Sequence, residues 1–208
     1  MKSHLLPGLF LGLVFCVNLE AEISIDGVLD EREWETAKKI DTFYEVFPYS
    51  LKEISDFKTD ILIFENPDGI YIGFKNYQSN ESMRSQNHER DDELAWADKT
   101  GVSIDFDADG LIAYQFFVSS GGSIGDATYT NETEKSNDWD GDWLSATTIG
   151  EDVWFTEFFI PWSIAPMKKQ LGDKRIVKIG FYRMLAGYSR VIATIKGSPY
   201  QNIYMSAF

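Results

Sequence analysis

The sequence predicts an all-β chain, an antiparallel β-sandwich of the jelly-roll kind with short helical turns and long loops. Three features lead there. About ten short runs rich in Val, Ile, Phe and Tyr succeed one another with turn residues between them, the pattern of sandwiches and barrels. No stretch carries the sustained 3.6-residue period of a long amphipathic helix. Aromatic residues make up 15% and apolar residues 44% of the 208 positions, enough to fill the space between two sheets of one domain.

The elements follow in order. Residues Met1 to Ala21 read as an export signal: Lys2 and His4 form a polar start, Leu5 to Val17 is an apolar run too short to span a bilayer, and Leu19-Glu20-Ala21 offers small-residue cleavage chemistry. Cys16 raises lipidation, and the bulky Phe15 before it argues against that processing. Cleavage after Ala21 leaves a mature domain of residues 22–208 with no cysteine and with His88 as its one histidine. Ile23-Ser24-Ile25 then reads as a short strand ending at the Asp26-Gly27 turn. Asp30 to Ala37 reads as a helical turn, with Asp30 as N-cap, Glu33 three residues on as in a capping box, and Trp34 as its apolar anchor.

Beyond it the chain reads as strands. Phe57–Phe64 and Ile70–Phe74 are joined by a Pro- and Gly-containing hairpin turn, and Val102–Phe106 and Leu111–Val118 by Asp107-Ala108-Asp109-Gly110. Trp143–Ile149, Val153–Ile160, Val177–Tyr182 and Arg190–Ile195 complete the set, with Pro161 closing the second of these. Residues 76–98 and 130–142 are polar and poorly periodic, and long loops in a compact domain usually serve function. Tyr200 to Phe208 is apolar to its last residue, which predicts either a final strand or a native chain that continues further.

Charge and residue inventory narrow the function. With 33 acidic against 19 basic residues the net charge is −14, and no basic stripe occurs, so nucleic acid is excluded as a partner. One histidine and no cysteine in the mature chain leave no Cys-His pair and no zinc set, and nothing singles out a carboxylate pair for glycoside hydrolysis. Binding without turnover is the expectation. Trp96, Trp139 and Trp143 lie in or beside the long loops, where a flat ring can take the C–H face of a pyranose while Asp98, Arg90, Asn137 and Asp140 bond its hydroxyls. The other reading of these rings is that they plug the ends of the sandwich, which suits Trp143 better than Trp96. Trp34 and Trp154, on regular elements, are expected in the core.

Calcium is the candidate cofactor, since acids that alternate within short turns can supply oxygen ligands to a hard cation; the other reading, a merely solvated acidic surface, suits most of the charges better. Asp138, Asp140 and Asp142 surround Gly141, and Asp26 and Asp30 flank a Gly turn. Asp105, Asp107 and Asp109 copy the first half of an EF-hand loop, but its twelfth position is Phe116, so an acidic hairpin turn is the better reading there.

The motif order resembles that of family 9 carbohydrate-binding modules. Asp26-Gly27-Val28-Leu29-Asp30-Glu31 with Trp34 and Ala37 is similar to the family's opening, and Pro67 to Phe74 to the hairpin that follows. Arg90-Asp91-Asp92, Val102 to Phe106, Asp138-Trp139-Asp140-Gly141-Asp142-Trp143 and Trp154 to Trp162 resemble segments of a bacterial subfamily fused to outer-membrane β-barrels. The resemblance implies a β-sandwich, structural calcium, and two aromatic rings that clamp a sugar at the end of a glycan. Trp96 stands at about the place of the first ring, and Tyr188 or Tyr200 has to serve as the second. The acid the family places near Ser103 is absent, and Phe116 or Phe117 stands where it has an Arg.

Three functions are thus expected in competition. The first is an exported module that binds a polysaccharide or oligosaccharide and assists an attached or partner glycoside hydrolase. The second is a periplasmic structural or interaction domain of an outer-membrane barrel protein. The third is a b-type haem domain using His88 with Met83, Met167 or Met184. The expected location is periplasmic, outer-membrane-associated or secreted.

Overall fold

Residues 23–48, 54–92, 96–131, 133–168 and 176–195 are described by a computed structural model. The expected signal with its cleavage site, Cys16, and the apolar stretch Tyr200 to Phe208 lie outside these residues. A short helix, α1 (Arg32–Thr36), is followed by the strands β1 (Lys38–Ile40), β2 (Tyr44–Phe47), β3 (Thr59–Glu65), β4 (Gly69–Tyr77), β5 (Lys99–Asp105) and β6 (Ile112–Ser119). Next come β7 (Ile124–Thr130), β8 (Glu134–Ser136), β9 (Leu144–Ile149), β10 (Val153–Pro161), β11 (Lys178–Leu185) and β12 (Arg190–Ala193).

The strands form two antiparallel sheets, ordered β1-β3-β4-β10-β9 and β2-β12-β11-β5-β6-β7-β8. The sandwich read from the alternating runs is therefore the fold. Register follows from the two-residue period: Phe74, Phe158 and Ile72 from one sheet meet Phe116, Phe181, Val102 and Ile104 from the other, all fully buried. Rings dominate this layer, and Trp143 stacks on Phe158 at 5.7 Å between centroids with 10° between planes.

A second apolar layer covers the outer face of the five-stranded sheet. Trp34 of α1 packs there with Ile23 and Tyr71, flanked by Leu29, Leu62, Phe64 and Phe159. Gly73 makes room for it, since a Cβ there would sit 2.6 Å from Leu29 Cδ2. The Asp26-Gly27 turn is fastened to the same face. Glu157, on β10 and fully buried, accepts the N–H groups of Asp26 at 2.9 Å and Gly27 at 2.6 Å, and Thr148 Oγ1 donates to the Gly27 carbonyl. Burial pushes the Glu157 carboxyl up to about 7, against the pull of those two backbone donors. The opening segment and the β10 segment of the family-like pattern are thus two halves of one contact.

The fold departs from the sequence expectation at two places near its start. Ile23 to Ile25 is not a strand: Ser24 N donates to Glu31 Oε1 at 2.9 Å, and Ile23 is buried against Trp34 instead of extending a sheet edge. Asp30 is not the N-cap of the helix. Glu31 holds that position without a side-chain cap, and its carboxylate is spent on Ser24 N and on Trp34 Nε1 at 3.0 Å. Four strands, β1, β2, β7 and β8, go beyond the expected set. Three of them are short edge or near-edge pieces, and the fourth, β7, carries the small residues Gly125 and Ala127. The acidic turn between β5 and β6 is a hairpin as expected: buried Asp105 accepts the N–H groups of Asp107 and Gly110 at 3.1 and 2.7 Å.

Candidate functional site

At one end of the sandwich, beyond the C-terminal end of β11 and the start of β5, several loops converge. β11 runs into a 3-10 turn, Ala186–Tyr188. Gly187 in that turn lies against Ser82, whose carbonyl oxygen would be 2.1 Å from any Cβ, so only glycine lets the 79–84 segment close on it. Trp96 joins the same turn: its indole Nε1 donates to the Ala186 carbonyl at 3.0 Å, yet the side chain is 52% exposed. Tyr188, two residues on, is 45% exposed and rests on Phe57 with ring centroids 4.9 Å apart. A half-exposed ring held by its edge is a preorganised apolar platform, and a second exposed ring stands on the turn it joins.

Under the platform lies a buried polar floor. Asp98 is fully buried and accepts Ala186 N at 2.6 Å, Arg84 N at 2.7 Å and Gln78 Nε2 at 3.0 Å. Burial pushes its carboxyl above the ordinary range, opposed by those backbone donors and by the charge of Arg183. Arg183, also fully buried, crosses from β11 to the other sheet and donates to Thr59 Oγ1, Gln78 Oε1 and the carbonyls of Lys58 and Tyr77. Burial lowers its guanidinium to about 10, which leaves it charged at neutral pH. The floor fixes the height and orientation of the loops that carry the rings.

The expected site residues separate into two places. Trp96 and Asp98 share the first. Asp98, however, spends its oxygens on protein donors inside the fold, so it positions the Ala186 turn and is not presented to a ligand. Arg90, Asp140, Trp139 and Trp143 share the second, around Asp126 of β7. Arg90 Nη2 donates to Asp126 Oδ2 at 2.7 Å and Arg90 Nε to Asp140 Oδ1 at 2.9 Å. Trp143 Nε1 and Gly141 N donate to the same Asp126 oxygen at 2.7 and 3.2 Å, while Asp91 Oδ1 accepts Asp126 N at 2.8 Å.

Trp143 is 6% exposed and belongs to the core, the reading that suited it better. Trp139 is half-buried on Tyr114 and Phe116, and Asn137 is exposed on the segment leading to it. Of the alternating acids, Asp140 alone joins an acidic cluster among the described residues, with Asp91 and Asp126; Asp138 instead accepts from the Ser136 hydroxyl, and Asp142 is exposed. Asp26 accepts Val28 N within its own turn, and Asp30 is exposed. His88 faces Asp92, Nδ1 to Oδ2 3.7 Å, and its backbone N donates to Ser123 Oγ.

Asp126, Arg183, Gln78 and Phe57 escaped the sequence reading. Asp126 occupies a core-facing position, opposite Phe116, and an acid at such a position stands out only once the phase of its strand is known.

The architecture has solved relatives. A family 9 carbohydrate-binding module from Caldicellulosiruptor kristjanssonii, in complex with cellotriose, superposes with a TM-score of 0.57 at 14% identity, covering 89% of this chain and 85% of that one. The same description with glucose gives 0.60 at 14% identity, with 89% and 86% covered. A proposed carbohydrate-binding protein from Bacteroides uniformis ATCC 8492 gives 0.59 at 11% identity, with 82% and 85% covered. At such identities the likeness is one of fold. No family model matches the chain, and no curated protein matches it by sequence.

Proposed function

We propose that this chain is a non-catalytic carbohydrate-binding domain whose glycan site is the aromatic end formed by Trp96 and Tyr188. The observation that carries the reading is the half-exposed Trp96 ring, held at its edge by the Ala186 carbonyl, with Tyr188 exposed on the same turn. A pyranose stacks its C–H face on such a ring and finds hydroxyl partners at the rim, where Arg84 is exposed beside the Asp98 floor. The fold shared with modules solved in complex with cellotriose and glucose points to β-glucan chains as the first ligands to test.

Calorimetric titration of the protein with glucan- and xylan-derived oligosaccharides tests it. Saturable binding that Trp96→Ala abolishes and Trp96→Phe partly keeps is expected, while Trp139→Ala leaves affinity unchanged. Flat titrations from a folded protein, or binding indifferent to Trp96→Ala, overturn the assignment. The same reading includes export across the cytoplasmic membrane, for which the polar start and apolar run of the first residues speak, and service to an attached or partner glycoside hydrolase.

A second reading rests on a specific observation. The Arg90-Asp91-Asp92 and Trp139–Trp143 segments, which resemble the subfamily fused to outer-membrane barrels, meet at one buried carboxylate, Asp126. A structural domain attached to such a barrel fits that convergence. Co-fractionation with outer membranes, together with flat glycan titrations, would favour it over the first.

A further inference from the structure

We infer that the carboxylates of Asp91, Asp126 and Asp140 form a binding site for a hard divalent cation of calcium type, independent of the aromatic end. Their ligand oxygens lie within 4.8 Å of one another, the one such acidic group among the described residues. Proximity of acids alone would carry little, and a second observation points to a ligand. Asp126 is fully buried, and its two oxygens are used unequally. Oδ2 takes three donors, from Arg90, Trp143 and Gly141, while Oδ1 has no hydrogen-bond partner. A buried carboxylate oxygen without a partner costs about 1–3 kcal/mol or more, and native proteins rarely leave one so. A cation answers that deficit directly.

Charge balance agrees. Three carboxyl groups gather around one guanidinium, Arg90, which is bonded to Asp126 and Asp140 and stands 3.6 Å from Asp91 Oδ2. A second positive charge is what the cluster lacks. The donors are oxygens only, without His or Cys, which selects calcium or magnesium over zinc and copper. Asp140 is 71% exposed at its side chain, so the site opens to solvent on one side, and water completes the shell. Such irregular, partly solvated oxygen coordination suits Ca2+ better than Mg2+, which demands a near-ideal octahedron.

The site also explains the local build. Asp91 has a left-handed backbone, φ 60°, and places its Oδ1 against Asp126 N. Gly125 beside it is free of a Cβ that would stand 2.8 Å from that same oxygen and 2.2 Å from the Phe117 ring. The loops 85–92 and 137–143 are thereby drawn to one point of β7, and a bound cation would lock both.

Terbium luminescence supplies a test that reports on this site, because Trp143 Nε1 is 2.7 Å from Asp126 and its indole can sensitise a lanthanide held there. The chelator-stripped full chain is titrated with Tb3+, then with Ca2+ and Mg2+ as competitors. Expected are saturable sensitised emission, displacement by Ca2+ at lower concentration than by Mg2+, and a loss of affinity of about tenfold or more in Asp140→Asn. Asp138→Asn, which keeps the loop but lies outside the cluster, should leave the affinity unchanged. Absence of saturable emission from protein with native circular dichroism would make Arg90 the sole counter-ion and overturn the inference. Equal weakening in Asp138→Asn and Asp140→Asn would overturn it too, in favour of diffuse attraction to an acidic surface. Glycan affinity plays no part in the readout, so a failure here leaves the aromatic-end reading untouched, and the reverse.

Discussion

Replacing Glu157 by Gln should flatten the dependence of stability on pH. In the folded protein the carboxyl is buried on β10, beneath the Asp26-Gly27 turn, and titrates at about 7 instead of the ordinary 4.5. A carboxyl that holds its proton more tightly when folded stabilises the fold at low pH, and that contribution drains away as pH rises from 4.5 through about 7. The loss between about pH 5 and about pH 8 comes to about 2–3 kcal/mol for this single group. Glutamine keeps an acceptor oxygen for the N–H groups of Asp26 and Gly27 and removes the charge, at the cost of an amide placed where Oε1 has no partner. That cost is the same at both pH values, and the pH-dependent contribution of Asp98, also raised by burial, is common to the two proteins, so both cancel in the comparison. Urea unfolding followed by tryptophan fluorescence, wild type against Glu157→Gln at the two pH values, reads the difference. The wild type should lose about 2–3 kcal/mol more than the variant on going to the higher pH. Parallel losses in the two proteins, or a steeper loss in the variant, would refute the view that this carboxyl is held protonated by burial.

Two further substitutions probe the same frame. Gly27→Ala meets both a backbone φ of 85° and a contact of 2.8 Å with the Thr147 carbonyl carbon, so it should cost about 1–3 kcal/mol in urea unfolding, and an unchanged midpoint would show the turn to be dispensable. Arg183→Met removes the donor that Thr59, Gln78 and two backbone carbonyls share and leaves buried Asp98 without its nearby cation. A loss of about 3–5 kcal/mol is expected in the same assay, and a loss below about 1 kcal/mol would mean that water replaces the guanidinium.

What could be read in advance depended on how local the cause was. The alternation along Val102–Phe106 and the run Val153–Ile160 closed by Pro161 are properties of neighbouring residues, and both segments became strands, β5 and β10, in the expected antiparallel sandwich. The hairpin at Asp107–Gly110 was legible because its Asx and Gly chemistry acts within a few residues. Trp34 was legible as an anchor for a similar reason, although the helix start was not: it falls one residue later, at Glu31, whose carboxylate bonds Ser24 N and Trp34 Nε1 and caps no helix N–H. The setting of Trp96 in a long charged loop left both a buried plug and an exposed ring open, and the packing around the Ala186 turn decided for the exposed ring.

The pairing of distant groups was not visible. Asp98 reads as one more acid beside a tryptophan, and its role as the pin of the Ala186 turn depends on a contact 88 residues away. Asp126 reads as a lone acid among small residues, and its neighbours Arg90 and Trp143 approach it from two separate loops. Burial of these carboxylates, and of Arg183 between the sheets, is decided by which faces the two sheets turn toward each other. The two-residue period settles which residues alternate, but packing alone settles which polar groups end up enclosed together, because desolvation and hydrogen-bond partnership are properties of the assembled core and not of any one strand.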